Sequence, residues 1–429
     1  ALMAAAPVSV WLPGQLAPVY AGTFEWEAAA RTGQFRHAQA YLDDPAALAL
    51  DPIHLPLRGA PARTRKQDGI FGVLRDAGPD SWGEAQMRRR LGMPDMDPFE
   101  RITLCSTNGA GRVLVGEASP QRDVPIWDLH QLESAYATWI ASGNRKDPPP
   151  IEEFVAQRAP YIGTGGAKPK LDLLSEGRMW LVKFPERGDP DDLAGIEAAA
   201  LSLARACGIE TPAHRVQSLS FEGDTRYGLM VERFDRLAVA GGFARHGFAS
   251  AHTVMDLDAG EEAGRQRSYL AFAHETVRWC ATGQDRRHGQ EQKREIWRRV
   301  VFNGLVANTD DHSRNHALLQ DGATWRLSPI FDVVPVPQRP GTHIALSMPF
   351  THEREFANYV TGARLIGSAE AYGWDVHEAE AELQRMAAIV NREWEPLMGA
   401  HGVSRQSIEA RASAFGFAKL LAGGARVAE

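Results

Sequence analysis

A change of hydrophobic period at Asp235 constrains the fold of this chain more than any other feature of its sequence. Upstream of it, from Lys170, apolar residues recur in short alternating runs separated by turn residues, the pattern of strands. Leu171–Leu174 and Met179–Phe184 flank Ser175-Glu176-Gly177-Arg178 as a hairpin. A period of two places Met179, Leu181 and Lys183 on one face of the second strand and Trp180, Val182 and Phe184 on the other. Arg215–Phe221 and Gly228–Phe234 form a second strand pair, with Glu222-Gly223-Asp224 as its turn. Between the pairs, Ile196, Ala200, Leu203 and Cys207 mark one face of a helix over Ala194–Cys207, which Gly208 ends. Downstream of Asp235, residues 267–281, 291–307 and 375–398 carry helical spacing instead. The last opens on Asp375-Val376-His377-Glu378, a capping-box spacing, ahead of Leu383, Met386, Val390 and Trp394 on one stripe. A β-rich lobe is therefore followed by a helical lobe.

The full length of 429 residues calls for two or three domains. Strand-like pieces at Val8–Leu12, Ile53–Leu57 and Val113–Val115, broken by Pro and Gly, predict a small α+β unit ahead of the two lobes. The polar, Pro-rich stretch from Ala141 to Pro150 has linker composition. The expected division is 1–140, 150–236 and 237–429. With 47 Lys and Arg against 54 Asp and Glu, the net charge of −7 excludes a global basic field for nucleic acid or anionic membrane. Three cysteines without a CxxC pair exclude a disulfide scaffold, and no apolar run approaches the ~20 residues that cross a bilayer. The opening Ala-Leu-Met-Ala-Ala-Ala-Pro lacks the positive flank of a signal peptide, so the expected location is cytoplasmic.

Chemistry concentrates in Ala307-Asn308-Thr309-Asp310-Asp311-His312-Ser313-Arg314-Asn315-His316, which follows a predicted helix. Phosphoryl transfer from ATP needs a carboxylate to orient the acceptor hydroxyl and oxygen ligands to hold magnesium on the phosphates. In protein kinases the base Asp and a metal-binding Asn stand five positions apart, and a second metal-binding Asp comes later. Asp310 and Asn315 have that spacing, and Asp332 follows between apolar residues. A solvated loop of caps and Asx turns is the competing reading of the same stretch. A zinc pair at His312 and His316 is weaker, because a zincin places Glu directly after the first His, where Ser313 stands. Lys183 could meet phosphates, with Glu197 on the next helix as its partner, although a strand lysine is more often an edge charge. Gly163-Thr164-Gly165-Gly166-Ala167-Lys168-Pro169-Lys170 offers close backbone approach and charge, yet matches neither the Walker A nor the GxGxxG spacing. Leu229-Met230-Val231-Glu232-Arg233-Phe234-Asp235 joins the lobes where a kinase hinge lies. Six weak signals in kinase order are together a stronger signal than any one of them.

These segments resemble the HipA-like serine/threonine kinases, toxin half of the type II toxin–antitoxin pairs of bacteria. Gly165-Gly166-Ala167-Lys168-Pro169-Lys170, Trp180-Leu181-Val182-Lys183-Phe184-Pro185, Val231-Glu232-Arg233-Phe234-Asp235-Arg236, Asn308-Thr309-Asp310-Asp311-His312 with Asn315, Phe331-Asp332 and Pro79-Asp80-Ser81-Trp82-Gly83 carry the resemblance. It implies an α+β, two-lobed protein-kinase-like fold with an extra N-terminal α+β subdomain and an all-helical C-terminal lobe. It also implies ATP and Mg2+, with Asp310 as catalytic base, Asn315 and Asp332 as magnesium ligands and Lys183 on the phosphates. Gly163, Thr164, Gly165, Gly166, Lys168 and Lys170 would belong to the nucleotide loop, Glu232 and Phe234 would flank adenine, and His312 would lie near the nucleotide. The implied substrates are protein hydroxyls, with aminoacyl-tRNA synthetases among the targets. The implied partner is a HipB-like helix-turn-helix antitoxin, through which alone the protein would reach DNA. One departure concerns the loop: family members often carry an autophosphorylated Ser two positions before the Gly-Gly-Ala segment, where this chain has Gly163, with Thr164 as the nearest hydroxyl.

Two other readings stay open at the level of sequence. A small-molecule phosphotransferase of related fold would need an acidic acceptor pocket in the helical lobe. A non-catalytic corepressor could lay Arg286, Arg287, Lys293, Arg294, Arg298 and Arg299 on a phosphate backbone, although interspersed Asp285, Glu291 and Glu295 favour a solvated helix face.

Overall fold

A computed structural model of the chain describes residues 3–79, 81–119, 122, 126–142, 168, 170–185, 189–221, 224–258, 267–281, 286–353 and 355–424. Gly163, Thr164, Gly165 and Gly166, most of the 141–150 stretch, and the Glu222-Gly223 turn lie outside those residues. The N-terminal unit is a five-stranded antiparallel sheet of β1 (Met3–Val10), β2 (Val19–Glu27), β3 (Thr32–His37), β4 (Ala62–Thr64) and β5 (Val113–Val115), in the order β4-β3-β2-β1-β5. Alternation turns Val8, Val10, Phe24 and Phe35 into its core. The strand expected at Ile53–Leu57 is absent. Pro52 and Pro56 lack amide hydrogens, and Asp51 Oδ1 accepts from the amides of Ile53 (2.8 Å) and His54 (2.9 Å), a side-chain-capped turn.

The second sheet holds β6 (Lys170–Ser175), β7 (Arg178–Lys183), β8 (His214–Phe221) and β9 (Asp224–Glu232), in the order β6-β7-β9-β8. Glu176 and Gly177 both take positive φ (54° and 70°), which makes the tight two-residue turn that pairs Ser175 with Arg178. Strand β9 begins at Asp224, four residues before the expected start. The run Asp224–Tyr227 shows no apolar alternation and is held by its ladder to β8. The two faces of β7 separate in part, because Leu181 borders the cleft with Lys183 yet also joins the cluster of Trp180, Val182 and Phe184. Trp180, Val182 and Phe184 pack with Leu132 and Tyr136 of the Leu129–Ser142 helix, while the other face turns toward the Leu193–Ala206 helix and a cleft. The segment before residue 142 thus packs against the second sheet.

Helices Tyr269–Cys280, Arg286–Leu305 and Val376–Ala400 build the C-terminal lobe. Asp375 caps the last by accepting from the amides of His377 (2.8 Å) and Glu378 (3.4 Å), and Leu383, Met386 and Val390 are buried. The lobe is not all-helical, which corrects the sequence expectation. A hairpin of β10 (Arg236–Val239) and β11 (Gly242–Arg245) opens it. A three-stranded sheet follows, with β12 (Gly247–Ser250), β13 (Ala317–Asp321) and β14 (Thr324–Leu327) in chain order. Strands of four or five residues are too short to show a period, and β12 finds its partner some seventy residues downstream.

The basic helix is tied internally. Arg294 pairs with Glu378 (2.7 Å), Arg298 with Glu382 (2.8 Å), and Arg299 Nη2 donates to the Ser328 carbonyl (2.7 Å). Three of the six cations that the corepressor reading invokes are thus committed within the lobe. Cys105, Cys207 and Cys280 are free and buried, and among the described residues no helix is long and apolar enough to cross a membrane.

Candidate active site

Lys183 is the last residue of β7, an interior strand of its sheet. Its Nζ donates to Glu197 Oε1 (2.6 Å) and to Asp332 Oδ1 (2.8 Å), with the lysine side chain 13% exposed. Burial opposes the ammonium, but the Asp332 and Glu197 carboxylates outweigh it and hold the pKa above the ordinary lysine range. Burial likewise opposes ionised Asp332, and Lys183 overrides it to keep that carboxyl acidic. At Glu197 burial wins and the pKa is raised despite Lys183. Asp332 also sits at φ +60°, a region disfavoured for a residue with a Cβ. Its segment is clamped on both sides, by Ile330 N to Glu210 O (2.8 Å) and Val336 N to Ala307 O (3.2 Å).

The Asp310 loop leaves the Arg286–Leu305 helix through Ala307, at φ +48°. Asn308 ties it back to the helix, its amide to Asn303 O (2.8 Å) and its Nδ2 to Asn303 Oδ1 (3.1 Å). Asp311 is buried and accepts from His316 Nε2 (2.7 Å), Tyr269 Oη and Asn303 Nδ2. All three donors converge on Oδ2 of that carboxylate, which serves the frame of the loop. Its neighbour Asp310 is exposed, and the Asp310 carbonyl accepts from Asn315 Nδ2 (3.2 Å), which leaves Oδ1 as the ligating atom of that amide. The zinc reading gains no support here: His316 Nε2 faces Asp311 and His312 Nδ1 accepts from the Arg314 amide (3.2 Å). Among the described residues no group of His, Cys, Asp and Glu could hold a metal by itself.

Two adjoining cavities share Lys183, Glu197 and Asp332. One is apolar, walled by Leu181, Leu201, Val231, Phe234 and Phe331 and bordered by Glu232. The Phe234 and Phe331 rings stand 5.6 Å apart. The other is polar, lined by Lys168, Lys170, Asn308, Asp310 and Asn315. The structure thus gathers seven expected residues (Lys168, Lys170, Lys183, Glu197, Asp310, Asn315 and Asp332) around one polar cavity, with Glu232 and Phe234 beside its apolar neighbour. His312 borders neither, though it stays within electrostatic reach of Asp332. An amide oxygen and a carboxylate are hard donors, and Asn315 with Asp332 fits Mg2+, which protein sites commonly hold through one or two carboxylates plus phosphates and water.

Sequence reasoning missed how the hinge is fixed. Arg233 Nη1 donates to Asp172 Oδ2 (2.8 Å) and its Nη2 to Asp235 Oδ2 (2.8 Å) and to Gly109 O (3.0 Å). Arg236 Nη1 reaches Asp235 Oδ2 (2.7 Å) and its Nη2 Asn108 Oδ1 (3.0 Å), while Gly111 N donates to Asp235 Oδ2 (2.8 Å). These buried arginines sew the 108–111 segment of the N-terminal unit to the strand end that borders the apolar cavity. Adjacent charged residues gave no sequence signal for this, because the partners outside their own segment, Asp172 and Asn108, lie more than sixty residues away.

The fold and this site define a two-lobed, kinase-like protein with an added N-terminal sheet. Residues 8–116 match the HipA N-terminal domain and residues 162–394 the HipA-like C-terminal domain, so the chain belongs to the HipA family. Its fold is shared with HipA of Shewanella oneidensis MR-1, solved in complex with HipB and operator DNA. The two are 18% identical, the match covers 95% of this chain and 96% of that one, and the TM-score is 0.67. A Sinorhizobium fredii protein named "Putative kinase Y4mE" is 24% identical over 395 residues, 87% of this chain and 85% of the relative. A Haemophilus influenzae protein named "Putative kinase" is 24% identical over 204 residues, 44% of this chain and 58% of that one.

Proposed function

We propose that this protein is a serine/threonine protein kinase that transfers the γ-phosphate of ATP to a protein hydroxyl and acts as the growth-inhibiting toxin of a HipBA-like pair. The observation that carries the proposal is Lys183 bonded at once to Glu197 and Asp332, in a cavity that also presents Asp310 and Asn315. Adenine enters the apolar cavity beside Phe234 and Glu232, which leaves its phosphates against Lys183, Lys168 and Lys170. Asn315 and Asp332 are the ligands for Mg2+, which supplies positive charge to the phosphates. Exposed Asp310 orients the acceptor hydroxyl and takes its proton as the oxygen attacks the γ-phosphorus and the bond to ADP breaks. Lys183 stabilises charge on the transferred group.

The named relatives support kinase chemistry, and the HipA structure with HipB and operator DNA supports a HipB-like helix-turn-helix antitoxin as partner. A net charge of −7 leaves DNA contact to that partner. The test is incubation with labelled ATP, Mg2+ and cell extract, beside an Asp310→Ala variant. Label on a discrete protein band that disappears with the variant is the expected result. Label on small molecules instead would favour the phosphotransferase, and no transfer at all would remove both enzyme readings.

A further inference from the structure

Segment 250–258, which opens on the Ala251–Val254 helix, lies between the N-terminal unit and the Asp310 loop and is bonded to both. Toward the loop, Ala251 N donates to His316 O (2.7 Å) and His252 N to Ser313 O (3.0 Å), and the His252 ring meets Ser313 Oγ (3.3 Å). Toward the N-terminal unit, Asp76 accepts from Ser250 N (2.7 Å) and Ser250 Oγ (2.9 Å), at the cap of the helix. The other end is gripped as well. Lys66 Nζ donates to Asp256 O (2.7 Å) and pairs with the Asp256 carboxylate (2.7 Å), and Gln67 N donates to Asp258 Oδ1 (2.8 Å). Between these ties the surfaces lie so close that a Cβ on Gly72 would stand 2.6 Å from Thr253 Cγ2. Ser250, His252, Thr253 and Ser313 are all buried.

A helix of four residues does not hold its own shape, because fixing a single turn is unfavourable for the few hydrogen bonds it closes. Asp256, just past it, sits at φ +50°, a region disfavoured for a residue with a Cβ. Both need outside partners, and the N-terminal unit supplies them at each end. What the segment gives the loop is a fixed position for Ser313. The loop around Ser313 is tied within itself, by His312 N to Asp310 O (2.9 Å), Asn315 N to His312 O (2.9 Å) and Asn315 Nδ2 to Asp310 O (3.2 Å). A displaced Ser313 therefore carries Asp310 and Asn315 with it. Misplacing a reacting group by about 1 Å costs on the order of a hundredfold in rate.

We infer that Asp76 and His252 are positioning residues for the Asp310 loop, so that the N-terminal unit, acting through segment 250–258, sets the geometry of the catalytic segment. This rests on the protein-kinase reading proposed above and gives the N-terminal unit a part in the chemistry. The test uses the full chain. In phosphoryl transfer, Asp76→Ala and His252→Ala should each lower kcat about tenfold or more with KM for ATP unchanged, since the lysines around the nucleotide cavity are untouched. The double variant should fall no further than the worse single, because both act along one line of bonds. Asp76→Asn, whose side-chain amide can still meet the Ser250 N–H and hydroxyl, should keep most of the rate. Losses that multiply in the double variant, or a KM for ATP that rises as kcat falls, overturn the inference. Amide hydrogen exchange across 310–316 reads the same tie without activity. Asp76→Ala should speed exchange there about tenfold, the worth of one charge-assisted hydrogen bond, and leave the Val376–Ala400 helix unchanged. Exchange unaltered in the loop, or raised equally in that helix, is again fatal. A wild type that transfers no phosphate, while Asp76→Ala still loosens the loop, would sink the kinase reading and leave the positioning role standing.

Discussion

Lys183 shows how a single side chain decides between readings that sequence left open. A lysine among apolar strand residues is an edge charge or a buried one, and burial needs partners. Glu197 and Asp332 are those partners, one fourteen residues away on the following helix and one far downstream. The local spacings, strand to helix and Asp310 to Asn315, were legible because each lies within one or two elements. The division of labour inside Asp310-Asp311 was legible only from the spacing to Asn315, since nothing in the sequence marks Asp311 as the residue that Tyr269, Asn303 and His316 would surround. Lys183→Met should abolish phosphoryl transfer and lower stability by about 3 kcal/mol, because it strands two carboxylates. A Lys183→Met/Glu197→Gln double variant should regain part of the stability, read by urea unfolding, and none of the transfer. Equal stability of the single and double variants would show that the pair is not the source of the loss.

Between elements, a similar dependence on partners ties the Glu197 helix to the C-terminal lobe. Ser202, on that helix, lies between His214 Nε2 (2.9 Å) and His401 Nε2 (2.8 Å), with His401 at the end of the Val376–Ala400 helix. His214 Nδ1 faces the Pro212 carbonyl (2.9 Å) and must carry a hydrogen, so its Nε2 accepts from Ser202, and Ser202 accepts from His401. Protonating both rings would aim two N–H groups at one hydroxyl. Burial lowers the pKa of each, and His214 lowers His401 further. A depressed histidine protonates more readily in the unfolded chain, so this contribution is complete above the unfolded value of ~6.5 and is lost as pH falls below it. Urea midpoints should therefore drop from pH 8 to pH 5.5, and a His214→Gln/His401→Gln variant should drop less; parallel curves would refute the bridge. Elements with strong periods, such as Leu193–Ala206 and Val376–Ala400, were legible to within a residue or two. Elements held by distant pairing, β12 above all, were not.

Across the whole molecule, the sequence revealed the order of the three units but not how tightly they are joined. One apolar cluster runs from Ala6 in β1 through Ile196 and Leu203 to Leu421 near the other end of the chain. The buried Arg233, Asp235 and Arg236 network crosses from the N-terminal unit to the hinge, and Asp76 crosses to β12. Contacts of this kind connect residues more than a hundred positions apart and leave no trace in local pattern. Inter-domain contacts that are polar and separable allow units to melt one by one, whereas a shared apolar core couples them. The full chain should accordingly unfold in one calorimetric endotherm. Saturation with a non-hydrolysable MgATP analogue at a hundred times its dissociation constant should raise that endotherm as a unit by about 3 °C, given the entropy of unfolding a chain of this length. Two separate endotherms, with only the later one moved by nucleotide, would mean that the N-terminal sheet melts independently and that the shared core does not couple it to the lobes.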